Sequence, residues 1–487
     1  MTEVEVGVAG DGPAPAPPDA PPPAAAATPR RSGRWFWLAL GLIALAGFGV
    51  RLYTIYGYMP TCTTVTGTCP NGEYRLWGDA FYYHTEANEL ADGRGFIDPF
   101  RDRYLHLTQP SAGHPPMYSV YLAAWSVLGA RSITWHRFAS TVLGTATILV
   151  LALLARRIAG NRAALITAAL AAFLPALWAN DFLLMSETIA AFAAAIALVA
   201  SYEFARRPDL RRGVVLGAAL GFAALSRSEI IFLFPFVAIP LTLRLVRGWR
   251  EWLKTLGVIF GVGLLVMAPW IGYNLSRFDK PVFLSTGLWS TISAGSCDVA
   301  YYGAYTGWYL CGYRETPGVT NVTFVPSGQI GPMLPRTMDE SQRDEVVGKY
   351  AKQYVEHHFG RLPVVVAARV GRLWYLYKPA QTAFLDGTLE GRGMGAARLA
   401  RWTEYFVMSF GIAGMVVLWR RRTTIIPILG LIAASTLAAA ITFGIPRYRV
   451  AADVGLVFAC GIALDALWQW LRARVAPRPE DSEVVAV

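Results

Sequence analysis

Asp79 stands in RLWGDAFYYH, a carboxylate among leucine, tryptophan, phenylalanine and two tyrosines. His114 opens HPP, Asp181 and Glu187 share NDFLLMSET, Arg227 and Glu229 share LSRSE, and Arg447 and Arg449 flank Tyr448 in GIPRYRVAAD. All lie at the edges of long apolar runs. Carboxylates and guanidinium groups brought together in such a setting suit one chemistry. Arginines hold a phosphate leaving group by forked, charge-assisted hydrogen bonds, and a carboxylate takes the proton of an attacking hydroxyl. The chain has neither a P-loop nor a G-x-G-x-x-G between strand and helix, so a soluble nucleotide donor has no cradle. A phosphate donor met at a membrane surface points instead to a lipid carrier.

The elements that must position these residues are membrane helices. The 487 residues are 54% hydrophobic and only 16% charged, where a soluble chain carries about 25% charged residues. Lipid requires internally satisfied backbone, and the two-residue alternation of a barrel strand is missing, so the predicted class is an all-α polytopic protein. The net charge of +11 does not indicate a nucleic-acid partner. The basic residues cluster at the ends of apolar runs, as the positive-inside bias requires.

Residues 1–34 form a Pro- and Ala-rich cytoplasmic tail, expected to be disordered. Helix one follows. The first outer loop, 57–133, holds an amphipathic helix over GDAFYYHTEANELADG, with Ala80, Tyr83, Ala87, Leu90 and Ala91 on one face and Glu86, Glu89 and Asp92 elsewhere, expected to lie flat at the interface. HPPMYSVYLAAWSVLGA (114–130) is short for a crossing. Leaving it uncrossed places Arg156, Arg157 and Arg162, Arg206 to Arg212, Arg244 to Lys254, Arg420 to Arg422, and Arg472 and Arg474 all in the cytoplasm, and gives ten crossings with both termini inside. The organisation expected is a seven-helix module over 35–272, a large outer loop over 273–400 containing a further surface helix in RLPVVVAARVGRLWYLY, three helices over 401–474 and a tail over 475–487. Cys62 with Cys69 and Cys297 with Cys311 are then local disulfide candidates in an oxidising space, and Cys460 is a buried thiol.

Each charged residue also has a plainer reading. Asp79 suits a helix cap, Glu187 a cap through Ser186, and Arg227 with Glu229 a local ion pair. His114 suits an interfacial hydrogen bond, and Arg447 and Arg449 suit snorkelling to headgroups. The joint pattern argues otherwise. A charge in a lipid-facing position costs about 2.5–3.5 kcal/mol, so these groups are expected to converge on a shared cavity. Tyr82 with Trp77, Phe81 and Tyr83 would exclude water there and offer stacking faces for a sugar.

GDAFYYHTEANELADGRGF, GHPPMYSVYLAAWSVLGA, ARRIAGNRAALITAALAAFLPALWANDFLLMSET and the late FGIPRYR together resemble the membrane-embedded GT-C glycosyltransferases. The nearer branch is the family 39 group of protein O-mannosyltransferase-like, aminoarabinose-transferase-like and galacturonosyltransferase-like proteins. The likeness is strongest over 35–272. It implies a GT-C fold, a polyprenyl-phosphate sugar donor, a glycan, lipid or protein acceptor at the outer face, and inversion at the anomeric carbon. Asp79 matches the catalytic base, Glu187 the second-loop acid, His114 the H/K-P-P element, and Arg447 and Arg449 the basic pair near the donor phosphate. Arg227 falls in a turn only loosely like the family's T-R-P-E. The acids Asp181 and Glu187 depart from an Asp-x-Asp pair, so no cofactor or divalent metal is expected. A multi-pass protein of a bacterial plasma membrane is expected, with membrane lipids as partners and an extracytoplasmic site. The rival class is a transporter or flippase of lipid-linked sugars; the absence of an internal repeat and of midplane charges weighs against it.

Overall fold

Pro175 breaks the third apolar passage, and that break shows how the sequence shapes the bundle. A proline has no N–H to donate and is accepted at a first helical turn. Accordingly Asn161–Phe173 and Pro175–Leu183 are two helices bent by 45°. The computed structural model describes residues 33–58, 76, 78–312, 314–315 and 333–475. The tails, Cys62 with Cys69, and Trp77 lie outside the described residues.

In chain order the helices are α1 Gly33–Tyr53, α2 Asp79–Ala91, α3 Pro99–Leu105, α4 Met117–Val127, α5 Ile133–Ala159, α6 Asn161–Phe173, α7 Pro175–Leu183, α8 Glu187–Arg206, α9 Leu210–Ser226, α10 Ile239–Leu245, α11 Trp249–Leu275, α12 Gly287–Ala294, α13 Asp298–Tyr301, α14 Glu340–His357, α15 Leu362–Leu373, α16 Pro379–Thr388, α17 Met394–Arg420, α18 Ile426–Ile441 and α19 Val450–Val475. Among the described residues seven passages are each long and apolar enough to span a bilayer, and the bent α6–α7 pair makes an eighth if it is counted as one span. The shorter α9 and α18 run alongside α11 and α19, and of these two α18 is a shorter apolar helix. With 11 residues, α4 is about 16 Å long and too short to cross. Two paired two-residue strands, Arg314–Glu315 and Met333–Leu334, are the sheet among the described residues.

Without a hydrophobic drive between helices in lipid, association depends on close packing, which small residues permit. In this bundle α19 is buried continuously from Val450 to Ala463. It crosses α17 where a Cβ on Gly414 would collide with the Ala459 carbonyl, and a Cβ on Gly411 would press on Leu456. The α9–α11 crossing uses Gly217 against Ile259 in the same way.

The outer segments depart from the amphipathic reading. In α2 both faces are covered. Glu86, expected away from the core, is buried and accepts from the hydroxyls of Tyr82 (2.8 Å) and Ser119. The surface helix expected in 361–377 is α15, which is anchored rather than floating. Its Arg369 donates to Ala440 O (3.1 Å) and Ile441 O (3.1 Å), carbonyls that α18 leaves without intrahelical partners, and to Gly295 O (2.8 Å). The loop expected to end at 400 gives way to α17 already at Met394. Cys297 and Cys311 form a disulfide with Cα atoms 5.9 Å apart, and Cys460 is a buried free thiol.

Gly414→Val should lower the thermal unfolding midpoint in detergent markedly, an overpacking cost of about 1–3 kcal/mol or more. Gly257→Ala, whose Cβ would meet nothing within 4 Å, should leave it unchanged or raised. Equal midpoints for Gly414→Val and wild type would refute the close α17–α19 crossing.

Candidate active site

The short turn Pro446–Arg449 opens α19 and decides which arginine serves the site. In a turn of about three residues per revolution, side chains two apart diverge. Arg447 points into a cavity, whereas Arg449 points away. Arg449 is sealed between Glu404 (2.7 Å) and Asp453 (2.7 Å) and also donates to the Leu373 carbonyl. The paired-arginine expectation therefore resolves into one arginine in the cavity and one in the bundle core.

The cavity, about 1200 Å³, lies where α2, the α7–α8 turn, the end of α9, the segment after α11 and the start of α19 converge. Arg447 Nη1 donates to Asp79 Oδ2 at 2.7 Å, across 368 residues of sequence. Arg447 Nε faces Glu390 Oε2 at 2.9 Å and Glu187 Oε1 at 3.7 Å. Arg227 Nη1 reaches Glu187 Oε1 at 2.5 Å and Ser186 Oγ at 3.2 Å, and its Nε binds Glu229. The guanidinium of Arg227 also lies 4.9 Å from the Tyr448 ring centre. So Arg227 pairs with Glu229, as the plainer reading had it, and in addition ties that turn to Glu187.

Asp79 is the first residue of α2, after Gly78 at φ 53°, a conformation glycine adopts without strain. The capping reading places the carboxylate on helix N–H groups; here it lies on Arg447, with 30% of its side chain open to the cavity. His114 Nε2 stands 3.7 Å from Asp79 Oδ1, beyond hydrogen-bond range. Its ring is clamped by Tyr82 (4.8 Å between ring centres) and Tyr83 (4.9 Å). Tyr83 lines the cavity, while Tyr82 sits behind it on Glu86 and Ser111. Phe81 turns aside to pack on Phe100 and Tyr104.

Asp181 is not at the cavity. It is buried beside α1, where Arg51 Nε meets Oδ2 at 2.6 Å and Thr188 donates to Oδ1 at 2.8 Å. Gly144 of α5 makes room for it, since any Cβ there would strike that carboxylate. The substrate-binding expectation for Asp181 gives way to a buried ion pair, because α7 directs residue 181 towards α1 whereas Glu187 opens α8 at the cavity. Glu390 was missed. It lies in EGRGMG between α16 and α17, accepts from the Tyr309 hydroxyl and pairs by charge with Arg447. Only its position among glycines, beside Arg392, set it apart in sequence.

Burial alone would push the Asp79 carboxyl up, but Arg447 first and then His114 hold it well below the usual carboxylate range. Burial lowers His114, and Asp79 offsets this only in part, so the imidazole is neutral at pH 7. Burial raises Glu390 despite Arg447. Glu86, desolvated beneath α2, is pushed up to about 8. The cavity thus presents an ionised carboxylate, a neutral imidazole and two guanidinium groups at one end. Its flank is apolar, formed by Leu264, Met267 and Ile271 of α11 and Ala438 and Ile441 of α18. Among the described residues no cluster of three or more His, Cys, Asp or Glu could hold a metal ion.

Residues 113–273 match the family described as dolichyl-phosphate-mannose-protein mannosyltransferase, a stretch that includes His114, Glu187 and Arg227 and stops short of Asp79 and Arg447. The lipid A galacturonosyltransferase RgtD of Rhizobium johnstonii is 28% identical over 169 residues, which are 34% of this chain and 35% of RgtD. The oligosaccharyltransferase AglB of Archaeoglobus fulgidus, in complex with an inhibitory peptide and a dolichol-phosphate, is similar with a TM-score of 0.50 at 17% identity, over 91% of this chain and 52% of AglB. AglB in complex with Zn and sulfate gives a TM-score of 0.51 at 17% identity, over 90% of this chain and 50% of AglB. The chain therefore spans about a third of RgtD and half of AglB. The structural likeness shows the GT-C fold.

The two carboxylates of α2 should give opposite pH dependences of stability. Asp79, with its folded pKa depressed, contributes stability that is present above its unfolded value of 3.8 and lost as pH falls through the folded one. Glu86, with its folded pKa raised, contributes stability that is full below its unfolded value of 4.5 and lost as pH rises through about 8. Unfolding midpoints of Asp79→Asn and wild type should therefore stay apart from pH 8 to 5 and converge in stronger acid. The wild-type decline between pH 4.5 and about 8 should flatten in Glu86→Gln. Parallel curves for all three proteins would contradict these assignments.

Proposed function

We propose that this protein transfers a sugar from a polyprenyl-phosphate-linked donor to an acceptor hydroxyl at the outer face of a membrane, with inversion at the anomeric carbon. The observation that carries the reading is the Asp79–Arg447 bond on the wall of a cavity whose apolar flank runs out to lipid. Leu264 and Phe283 line that flank and are exposed on the bundle. A phosphate headgroup at Arg447 and Arg227 would leave its hydrocarbon chain along α11 and α18. The family match over 113–273, the galacturonosyltransferase relative and the dolichol-phosphate bound by AglB all favour such a donor.

In this reading the residues divide the work by charge. Arg447 and Arg227 take up the negative charge that develops on the departing phosphate, where positioned donors in a water-poor site act most strongly. Asp79 accepts the proton of the acceptor hydroxyl as that oxygen attacks the anomeric carbon from the face opposite the phosphate. Neutral His114 orients the acceptor without competing for the anionic donor. Tyr83 and His114 offer ring faces for sugar contact. No metal is part of the proposal: the Asp79, Glu187 and Glu390 carboxylates already converge on one cation, the Arg447 guanidinium.

The helix ends support one orientation. The loops α5–α6, α8–α9, α10–α11 and α17–α18, with the end of α19, carry Arg156 to Arg162, Arg206 to Arg212, Arg247 to Arg250, Arg420 to Arg422, and Arg472 with Arg474. The cavity lies at the opposite ends of the same helices. The positive-inside bias supports a cavity in the extracytoplasmic half.

Membranes containing the full chain, supplied with radiolabelled polyprenyl-phosphate sugars and envelope acceptors, should transfer label to an acceptor. Asp79→Asn should lower the rate about 10²-fold or more with expression unchanged. Turnover retained in that variant would remove the base, and label that crosses the bilayer without being transferred would replace the enzyme reading with a transporter.

A further inference from the structure

A carboxylate locked to a guanidinium is a poor proton acceptor. Asp79 is held in this way, at 2.7 Å from Arg447 Nη1. The proposed reaction, on which this inference rests, needs Asp79 to be basic when the acceptor arrives and only then. Something must loosen the pair without letting Arg447 leave the site.

The surroundings of Arg447 are divided by the planar guanidinium. Its Nε edge faces protein, with Glu390 Oε2 at 2.9 Å and Glu187 Oε1 at 3.7 Å. Glu390 is itself buried, does not line the cavity, and is oriented by the Tyr309 hydroxyl. Glu187 is fully buried and shared with Arg227. The Nη edge faces the cavity. Nη1 holds Asp79 and touches Met185 Sδ at 3.4 Å, and Nη2 has no hydrogen-bond partner among the described residues. One edge is anchored by charges that no ligand can reach. The other has a single strong partner and a donor to spare.

We propose that Glu390 is a positioning residue, the pivot that keeps the Nε edge of Arg447 in place while its Nη edge passes from Asp79 to the donor phosphate. Arrival of the donor thereby frees the base. The exchange breaks one ion pair and makes another, and no proton moves in it. An incoming phosphate presents several acceptor oxygens to the Nη1 and Nη2 fork, where Asp79 now uses Nη1 alone. With Arg447 turned to the phosphate, Asp79 loses its strongest counter-ion and regains basicity at the moment a leaving group is in place. Without donor the base stays masked, which would protect against proton abstraction from acceptors that have no sugar to receive.

Two consequences separate a pivot from a mere neighbouring charge. Asp79 and the phosphate compete for Arg447, so removing the carboxylate should strengthen phosphate binding. Removing the Glu390 charge should let the whole guanidinium swing onto Asp79 and weaken phosphate binding, whereas a charge acting only by repulsion would do the reverse. The probe is undecaprenyl phosphate, titrated into the purified full-length protein in detergent and followed by native mass spectrometry. Asp79→Asn should bind roughly tenfold more tightly than wild type, the worth of one charge-assisted hydrogen bond. Glu390→Gln should bind roughly tenfold more weakly on the same scale. The double variant should recover at least wild-type affinity. Tyr309→Phe, which frees Glu390 without removing its charge, should weaken binding in the same direction, and it tests the pivot if Glu390→Gln is poorly produced. Tighter binding by Glu390→Gln, or no recovery in the double variant, would overturn the pivot. If instead Arg447→Met binds undecaprenyl phosphate as wild type does, the phosphate does not sit at Arg447, and the proposed function fails before the pivot is reached.

Discussion

A single guanidinium organises one end of this bundle. Arg447 is met by Asp79 from α2, Glu187 from the start of α8 and Glu390 from the loop before α17. These four residues lie far apart in the chain, and only 12% of the Arg447 side chain is open. A charge so placed is tolerated when its partners are assembled around it, and removal of a partner leaves it uncompensated. The demand runs in both directions. The segment between α1 and α5 must fold back to deliver Asp79, and the segment between α11 and α17 must fold inward to deliver Glu390. The cavity is the space these two arms enclose.

The outer segments are accordingly built as supports rather than as loose surface. Glu340 of α14 accepts from Ala112 N (2.6 Å), Ser111 Oγ (2.8 Å) and Thr286 Oγ1 (3.0 Å), which joins the segment before α4, the segment after α11 and α14 beside the cavity. Arg277 adds bonds to Phe96 O (2.7 Å) and Ser111 O (2.9 Å). Buried groups satisfied in this manner fix one arrangement, because each alternative leaves a polar group unpaired in a dry interior. Preorganisation of the proposed site rests on that accounting, in which helices hold the cavity floor and hydrogen-bonded loops hold its rim.

Much of this was legible in the residues. Asp79, Glu187, Arg227 and Arg447 are conspicuous because charge between apolar runs needs a partner, and period and length together marked the spanning helices and the short α4. Other features required three dimensions. Asp181 and Glu187 look alike in NDFLLMSET, and so do the two arginines of PRYR. Which of each pair faces the cavity depends on the bend at Pro175 and on a single tight turn at 446–449. Arg51, a lone charge near the end of α1, was a hint that Asp181 had a different partner. Glu390 was hidden because it lies in a Gly-rich polar stretch, where a charge calls for no explanation. The burial of α2 on both faces was likewise out of reach of periodicity, since Glu86 is accommodated by hydroxyls of Tyr82 and Ser119 rather than by hydrocarbon.

The central claim is spatial: the acid from the first loop and the guanidinium before the last helix share one cavity, the guanidinium turned to the lipid phosphate and the acid to the acceptor. The most direct measurement is an electron cryo-microscopy map of the full chain with undecaprenyl phosphate bound. The account predicts phosphate density within hydrogen-bond reach of the Arg447 Nη atoms, the lipid chain lying along α11 and α18, and the Asp79 carboxylate turned free beside it. Phosphate bound elsewhere on the bundle, or Asp79 and Arg447 opening onto separate surfaces, would contradict it.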